Sequence, residues 1–204
     1  MASWARKEDS PAFEIAELVI SGIIPIGLIA IGTVGNLISI WILLNKENRR
    51  YSTNVYLIFL CLMDTISLYQ WNMNNIMFTF TKGQKQVWSH SLFLCKLSEF
   101  FAFYTLHTSA MFLSMVEFDR ACLLRSNWYK RKVARARIAF FICLGILIVL
   151  FGLNGFLFAV GTEFPIYDSV TGQLQMVIVA CYYTLDTTLM DFFANTYPWV
   201  MIRE

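Results

Sequence analysis

The sequence predicts an all-α integral membrane protein, and three observations carry the prediction. Of its 204 residues, 57% are hydrophobic and only 15% charged, where soluble domains carry about 25% charged residues. Four long apolar runs follow one another along the chain. Basic residues gather in two of the intervening loops, the pattern of cytosolic loops in membrane proteins.

Each run is long enough to span, since about 20 helical residues cross a bilayer core. Leu18–Leu44 contains no charge, and Asn54–Phe80 contains only Asp64. Ser91–Leu124 is longer than a crossing needs, which predicts a tilted helix. Ile138–Val160 is free of charge. The expectation is one domain over residues 1–204, with helices at about 18–44, 54–80, 91–124 and 138–160 and a C-terminal segment over 161–204. Met1–Pro11 is polar and the first run exceeds a signal-peptide core, so that run reads as an uncleaved signal anchor.

Orientation follows from charge. Lys46, Arg49 and Arg50 lie between the first two runs, and Arg125, Lys130, Arg131, Lys132, Arg135 and Arg137 between the last two. These nine of the sixteen Lys and Arg place both loops in the cytosol. The N-terminus and segment 161–204 are then expected outside. Of five cysteines, Cys95 and Cys181 fall on the oxidising side and are able to pair; Cys61, Cys122 and Cys143 are expected to be free thiols. The stretch VTGQLQMVIVACYY, with Gly172 at its bend, predicts a β-hairpin carrying Cys181.

Polar residues inside such runs are functional candidates. On the third helix Cys95, Glu99, Ala102, Phe103, Leu106, Ser109, Leu113, Val116 and Arg120 step by three or four and form one stripe, expected to be buried among other helices. Glu117, Asp119 and Arg120 interrupt the apolar run near its cytosolic end. Asp119 is expected to neutralise Arg120 at the mouth of a cytosolic cleft; simple anchoring of Arg120 at the headgroups is the plain alternative. No enzyme constellation is visible, His90 and His107 suggest no metal site, and no nucleic-acid partner is expected.

Together these residues resemble the rhodopsin-like (class A) G protein-coupled receptors. Gly35-Asn36 matches the first-helix signature, and TNVYLIFLCLMD matches the second-helix pattern at Thr53, Asn54, Tyr56, Leu57, Leu60 and Asp64, with Cys61 in place of the usual alanine. Trp88 lies seven positions before Cys95, and Asp119-Arg120-Ala121 resembles the DRY motif at the family's spacing from Cys95. The fourth helix lacks the family's tryptophan. The chain ends before a fifth helix, and before the CWxP and NPxxY motifs of the sixth and seventh. It therefore reads as the first four helices of a seven-transmembrane bundle, a fragment truncated after the second extracellular loop.

The resemblance implies a plasma-membrane receptor that passes an extracellular ligand's signal to a heterotrimeric G protein, with Asp119 and Arg120 as the coupling switch. It implies a Cys95–Cys181 bridge, and part of an allosteric sodium site at Asp64 and Ser109, with no other cofactor. A hydrogen-bond hub joining Asp64 to Asn36 is the plain structural alternative. Glu99, Ala102, Phe103 and Leu106 are pocket candidates; Ala102 stands where amine receptors carry an aspartate. Together with Asp168, Asp186 and Asp191 in the last segment, this favours a peptide ligand and a resemblance to invertebrate neuropeptide receptors of the FMRFamide type. The alternative is a non-signalling chain that associates with full-length receptors. The basic loop RSNWYKRKVARAR is expected to meet the G protein, anionic lipid, or both.

Overall fold

The computed structural model describes residues 11–81, 91–159, 162–167 and 174–180. The first run is built from α1 (Pro11–Glu17), a π-helical turn over Leu18–Ile23, and α2 (Ile24–Leu43). Pro25 lies in the first turn of α2. Its ring lacks an N–H and crowds the carbonyl four residues back, so the helical ladder widens just before it. α3 (Ser52–Phe80) follows an extended Tyr51 and ends where Thr81 bonds back to Met77. α4 (Leu92–Arg125) starts under the hydroxyl of Ser91, which accepts the Leu94 N–H at 3.2 Å. Short α5 (Asn127–Lys132) is capped in the same way, by Ser126 accepting the Tyr129 N–H. α6 (Ala136–Asn154) closes in a 3-10 turn, Gly155–Ala159.

Three helical stretches are long and apolar enough to cross a membrane: Glu14–Leu43, Ser52–Phe80 and Ala136–Phe158. The protein is thus a multi-pass membrane protein, and exposed apolar side chains such as Ile31, Trp41 and Phe141 suit a lipid surround. Four crossings were expected. α4, at 34 residues, spans about 50 Å but does not qualify by composition. Its polar residues explain this, and the structure shows why they are tolerated. Thr105, Thr108 and Asp119 are fully buried. Thr105 and Thr108 return their hydroxyls to the helix's own carbonyls, at Phe101 and Tyr104. A helix packed against other helices does not need an apolar surface facing lipid.

The predicted stripe on α4 holds in part: Cys95, Ala102 and Val116 are buried. Leu106 is 51% exposed and Leu113 52% exposed, and Arg120 is exposed. Thr105, Thr108, Phe112 and Asp119 are buried beside Ala102 and Val116, so the buried face overlaps the stripe and is rotated from it. Both sets have helical spacing, so periodicity did not separate them. The packing of α4 against α3 and α6 decides between them.

Two compact units are distinguished, residues 1–87 with 101–151, and residues 88–100 with 152–204. In the first, Tyr56, Phe112, Val116, Ala139 and Cys143 form a core joining α3, α4 and α6, with Phe59 edge-on to Phe112. The Tyr104 hydroxyl donates to the Leu147 carbonyl at 3.2 Å, fastening α4 to α6. α2 and α3 approach closely at Gly32, where an added Cβ would lie 2.5 Å from Leu68 Cδ1. Within the second unit, Phe100 is buried and stacks on Phe158. A hairpin is present, with its second strand in the expected stretch and its first strand upstream of it: β1 (Thr162–Tyr167) pairs antiparallel with β2 (Leu174–Ala180). Pro165 stands opposite Val177; having no N–H, it suits the edge position that every strand of a two-stranded sheet occupies. Gly172 and Cys181 lie outside the described residues.

Candidate functional site

At one end of the first unit lies a buried carboxylate. Asp119, on the last turns of α4, is fully inaccessible. Burying a carboxylate is costly unless hydrogen bonds replace its water. Here three hydroxyls do so. Ser52 donates at 2.8 and 3.0 Å to the two carboxylate oxygens, Thr53 donates to Oδ2, and Tyr129 donates at 2.8 Å to Oδ1. Ser52 and Thr53 are the first two residues of α3, so the anion also sits at the positive end of a 29-residue helix. Tyr129 comes from α5, whose Ser126 cap fixes the turn that aims the phenol inward. Burial, and then the bond to Asp119 and its charge, raise the Tyr129 phenol above its ordinary value. The tyrosine therefore stays a donor throughout the physiological range.

Arg120 does not share this cage. It is exposed, and no ion pair joins it to Asp119 among the described residues. The physical reason is the 100° step between successive helical residues: Asp119 turns toward α3 and α5, and Arg120 turns away. A second set of bonds holds the adjacent loop. Asn54 donates to the Asn48 carbonyl at 2.7 Å, and Asn48 to the Ile42 carbonyl at 3.0 Å. Asn54 thus ties the start of α3 to the turn after α2.

The other candidates fall elsewhere. Asn36 reaches α3 through Thr65, at 3.0 Å, one position beyond Asp64. Gly35 faces open space; Gly32, one turn earlier, is the glycine at the helix contact. Leu60 is half-buried beside the core. Asp64 lines an open cavity of about 430 Å³ with Gly32, Asn36, Ser67, Leu68, Trp71 and Asn72. Its oxygens are of the kind a hard cation takes. Ser109 is not among the lining residues, and its Oγ is buried with no hydrogen-bond partner among the described residues. Ala102 is buried, Glu99 and Phe103 are half-buried, and Leu106 is exposed. Cys95 is disulfide-bonded, whereas Cys61, Cys122 and Cys143 are free. Trp88 and Cys181 lie outside the described residues. Tyr129 and Ser52 had no place in the sequence expectations. The only signals were a Ser-Thr pair opening an apolar run and a tyrosine ten positions after Asp119.

Residues 35–197 match the family model described as 7 transmembrane receptor (rhodopsin family). The chain belongs to the rhodopsin family of seven-transmembrane receptors. The class A resemblance is thereby established over most of its length. Among relatives, the Substance-P receptors of Rattus norvegicus and Mus musculus are each 31% identical over 93 residues, covering 46% of this chain and 22% of theirs. The Tachykinin-like peptides receptor 99D of Drosophila melanogaster is 26% identical over 113 residues, covering 55% and 21%. The match thus spans about a fifth of those receptors. An invertebrate neuropeptide receptor fits the fly relative.

Proposed function

We propose that this rhodopsin-family chain belongs to a plasma-membrane receptor for an extracellular peptide, with its N-terminus outside, and that it signals to a heterotrimeric G protein. The observation that carries the reading is the family match, together with relatives named for peptide ligands. The geometry at Asp119 supports the coupling end. A caged carboxylate locks α3, α4 and α5 to one another while Arg120, next in sequence, stays accessible to a partner. Opening the cage would free α5 and the end of α4 together, which is the kind of two-state element a ligand can bias.

Of the other candidates, Cys95 would pair with Cys181, and Ala102, Phe103 and Leu106 would contribute to the peptide pocket. A sodium ion would rest on Asp64, with Asn36 and Ser67 about the same cavity, which Ser109 does not line. The ion would neutralise the carboxylate and so favour one arrangement of the helices.

The test is expression of the receptor containing this chain in cells that report G protein activation, challenged with tachykinin-like peptides. Arg120→Ala should retain peptide binding and lose activation. Full activation by that variant removes Arg120 from the coupling role. Absence of any peptide binding by the unaltered receptor overturns the ligand class.

A further inference from the structure

From Arg120 to Arg137 the chain carries seven basic residues, and no acidic residue occurs between Arg120 and Gly161. Arg120, Arg125, Lys130, Arg131, Lys132, Arg135 and Arg137 are all exposed. Trp128 and Leu124 beside them are 65% and 91% exposed. Among the described residues the exposed acid nearest in sequence is Glu117, before Arg120; Asp119 is buried and turned into its hydroxyl cage. The charge therefore finds little neutralisation among the described residues.

The structure also places this segment. Tyr129 and Ser52 meet on the same carboxylate. Ser52 is the first residue of one apolar span, and Ala136 is the first of another. α5 is thus held level with the point where two helices enter the apolar layer. The side chain that clamps it, Tyr129, faces inward, and its neighbours Trp128, Lys130, Arg131 and Lys132 are exposed. An aromatic ring and a row of cations fixed at that height suit the headgroup region, where tryptophan concentrates and basic side chains meet lipid phosphate.

We infer that the α5 segment, with Arg125, Arg135 and Arg137, is a recognition surface for anionic phospholipid headgroups in the membrane that holds the receptor. The surface lies apart from any peptide pocket and does not depend on the ligand class proposed above. Lys130 and Arg131 would meet the phosphates, while Trp128 enters the glycerol layer.

The experiment is native mass spectrometry of the purified full chain in neutral detergent, after incubation with equal amounts of phosphatidylserine and phosphatidylcholine. The chain should retain phosphatidylserine preferentially. Each basic side chain contributes about fivefold to such binding. The quadruple variant Lys130→Gln, Arg131→Gln, Lys132→Gln, Arg135→Gln should therefore lose the preference by on the order of several hundredfold where the four contributions add. These residues lie outside the Asp119 cage, so its melting temperature in phosphatidylcholine should stay unchanged. Equal retention of the two lipids by the unaltered chain overturns the inference, as does a preference that survives in the quadruple variant. Displacement of phosphatidylserine by millimolar inorganic phosphate would assign the cations to a free anion instead and also overturn it. A quadruple variant that keeps its lipid preference but no longer binds a purified G protein would give the surface to that protein.

Discussion

Tyr129→Phe isolates one arm of the cage around Asp119. The substitution keeps the ring and removes only the hydroxyl that donates to Oδ1 at 2.8 Å. A hydrogen bond to a charged group contributes about 1.5–3 kcal/mol. The lower end applies here because Ser52 and Thr53 still reach the carboxylate and Tyr129 is only partly buried. The expected loss is about 1–2 kcal/mol. Cys143 provides the assay, because it is free and fully buried: with the half-buried free thiols Cys61 and Cys122 replaced by serine, a thiol-reactive dye reports its exposure as the detergent-solubilised protein is heated. The same change in an Asp119→Ala background should cost almost nothing, since its acceptor is gone, giving a coupling of about 1–2 kcal/mol. An equal effect in both backgrounds would refute the cage. The pH dependence has a definite sign. A phenol raised in the folded state supports the fold fully below the ordinary tyrosine pKa of about 10, and that support is lost as pH rises through the folded value. The difference between wild type and Tyr129→Phe should therefore be flat across neutral pH and shrink only in strong alkali.

At the contact of α2 with α3, Gly32→Val should cost about 1–3 kcal/mol through overpacking against Leu68, while Gly35→Ala should stay within about 0.5 kcal/mol, having open space around it; thermal unfolding compares the two. Asn36→Ala removes the bond to Thr65 and should cost about 0.6 kcal/mol, the usual scale for a hydrogen bond between membrane helices. Cys181→Ser should leave Cys95 reactive to a thiol label and abolish the mobility difference between reduced and non-reduced gels; an unlabelled Cys95 in that variant would show a different pairing.

What was legible in the sequence rested on short-range physics. Sparse charge and unbroken apolar runs identify the solvent, because only a bilayer tolerates so much apolar surface. The basic loops and the ordered motifs from Gly35 to Arg120 point to the family through the sequence alone. The alternating apolar residues after Gly172 marked the second strand of the hairpin. Each of these is a property of neighbouring residues or of one helix.

Three-dimensional packing decided the rest. Asp119 and Arg120 are adjacent in sequence and looked like a neutralising pair; one is caged by residues 66 and 67 positions away and the other is left exposed. The buried side of α4 keeps Ala102 and Val116 of the expected stripe but takes in Thr105, Thr108, Phe112 and Asp119 in place of Leu106, Leu113 and Arg120, because neighbouring stripes share helical spacing and only the packed neighbours select between them. Gly32 rather than Gly35 marks the close helix approach for the same reason. Apolar content is additive along a chain, so sequence alone determines it. Which polar group meets which depends on the rotation of each helix against the next, and only the folded arrangement sets those rotations.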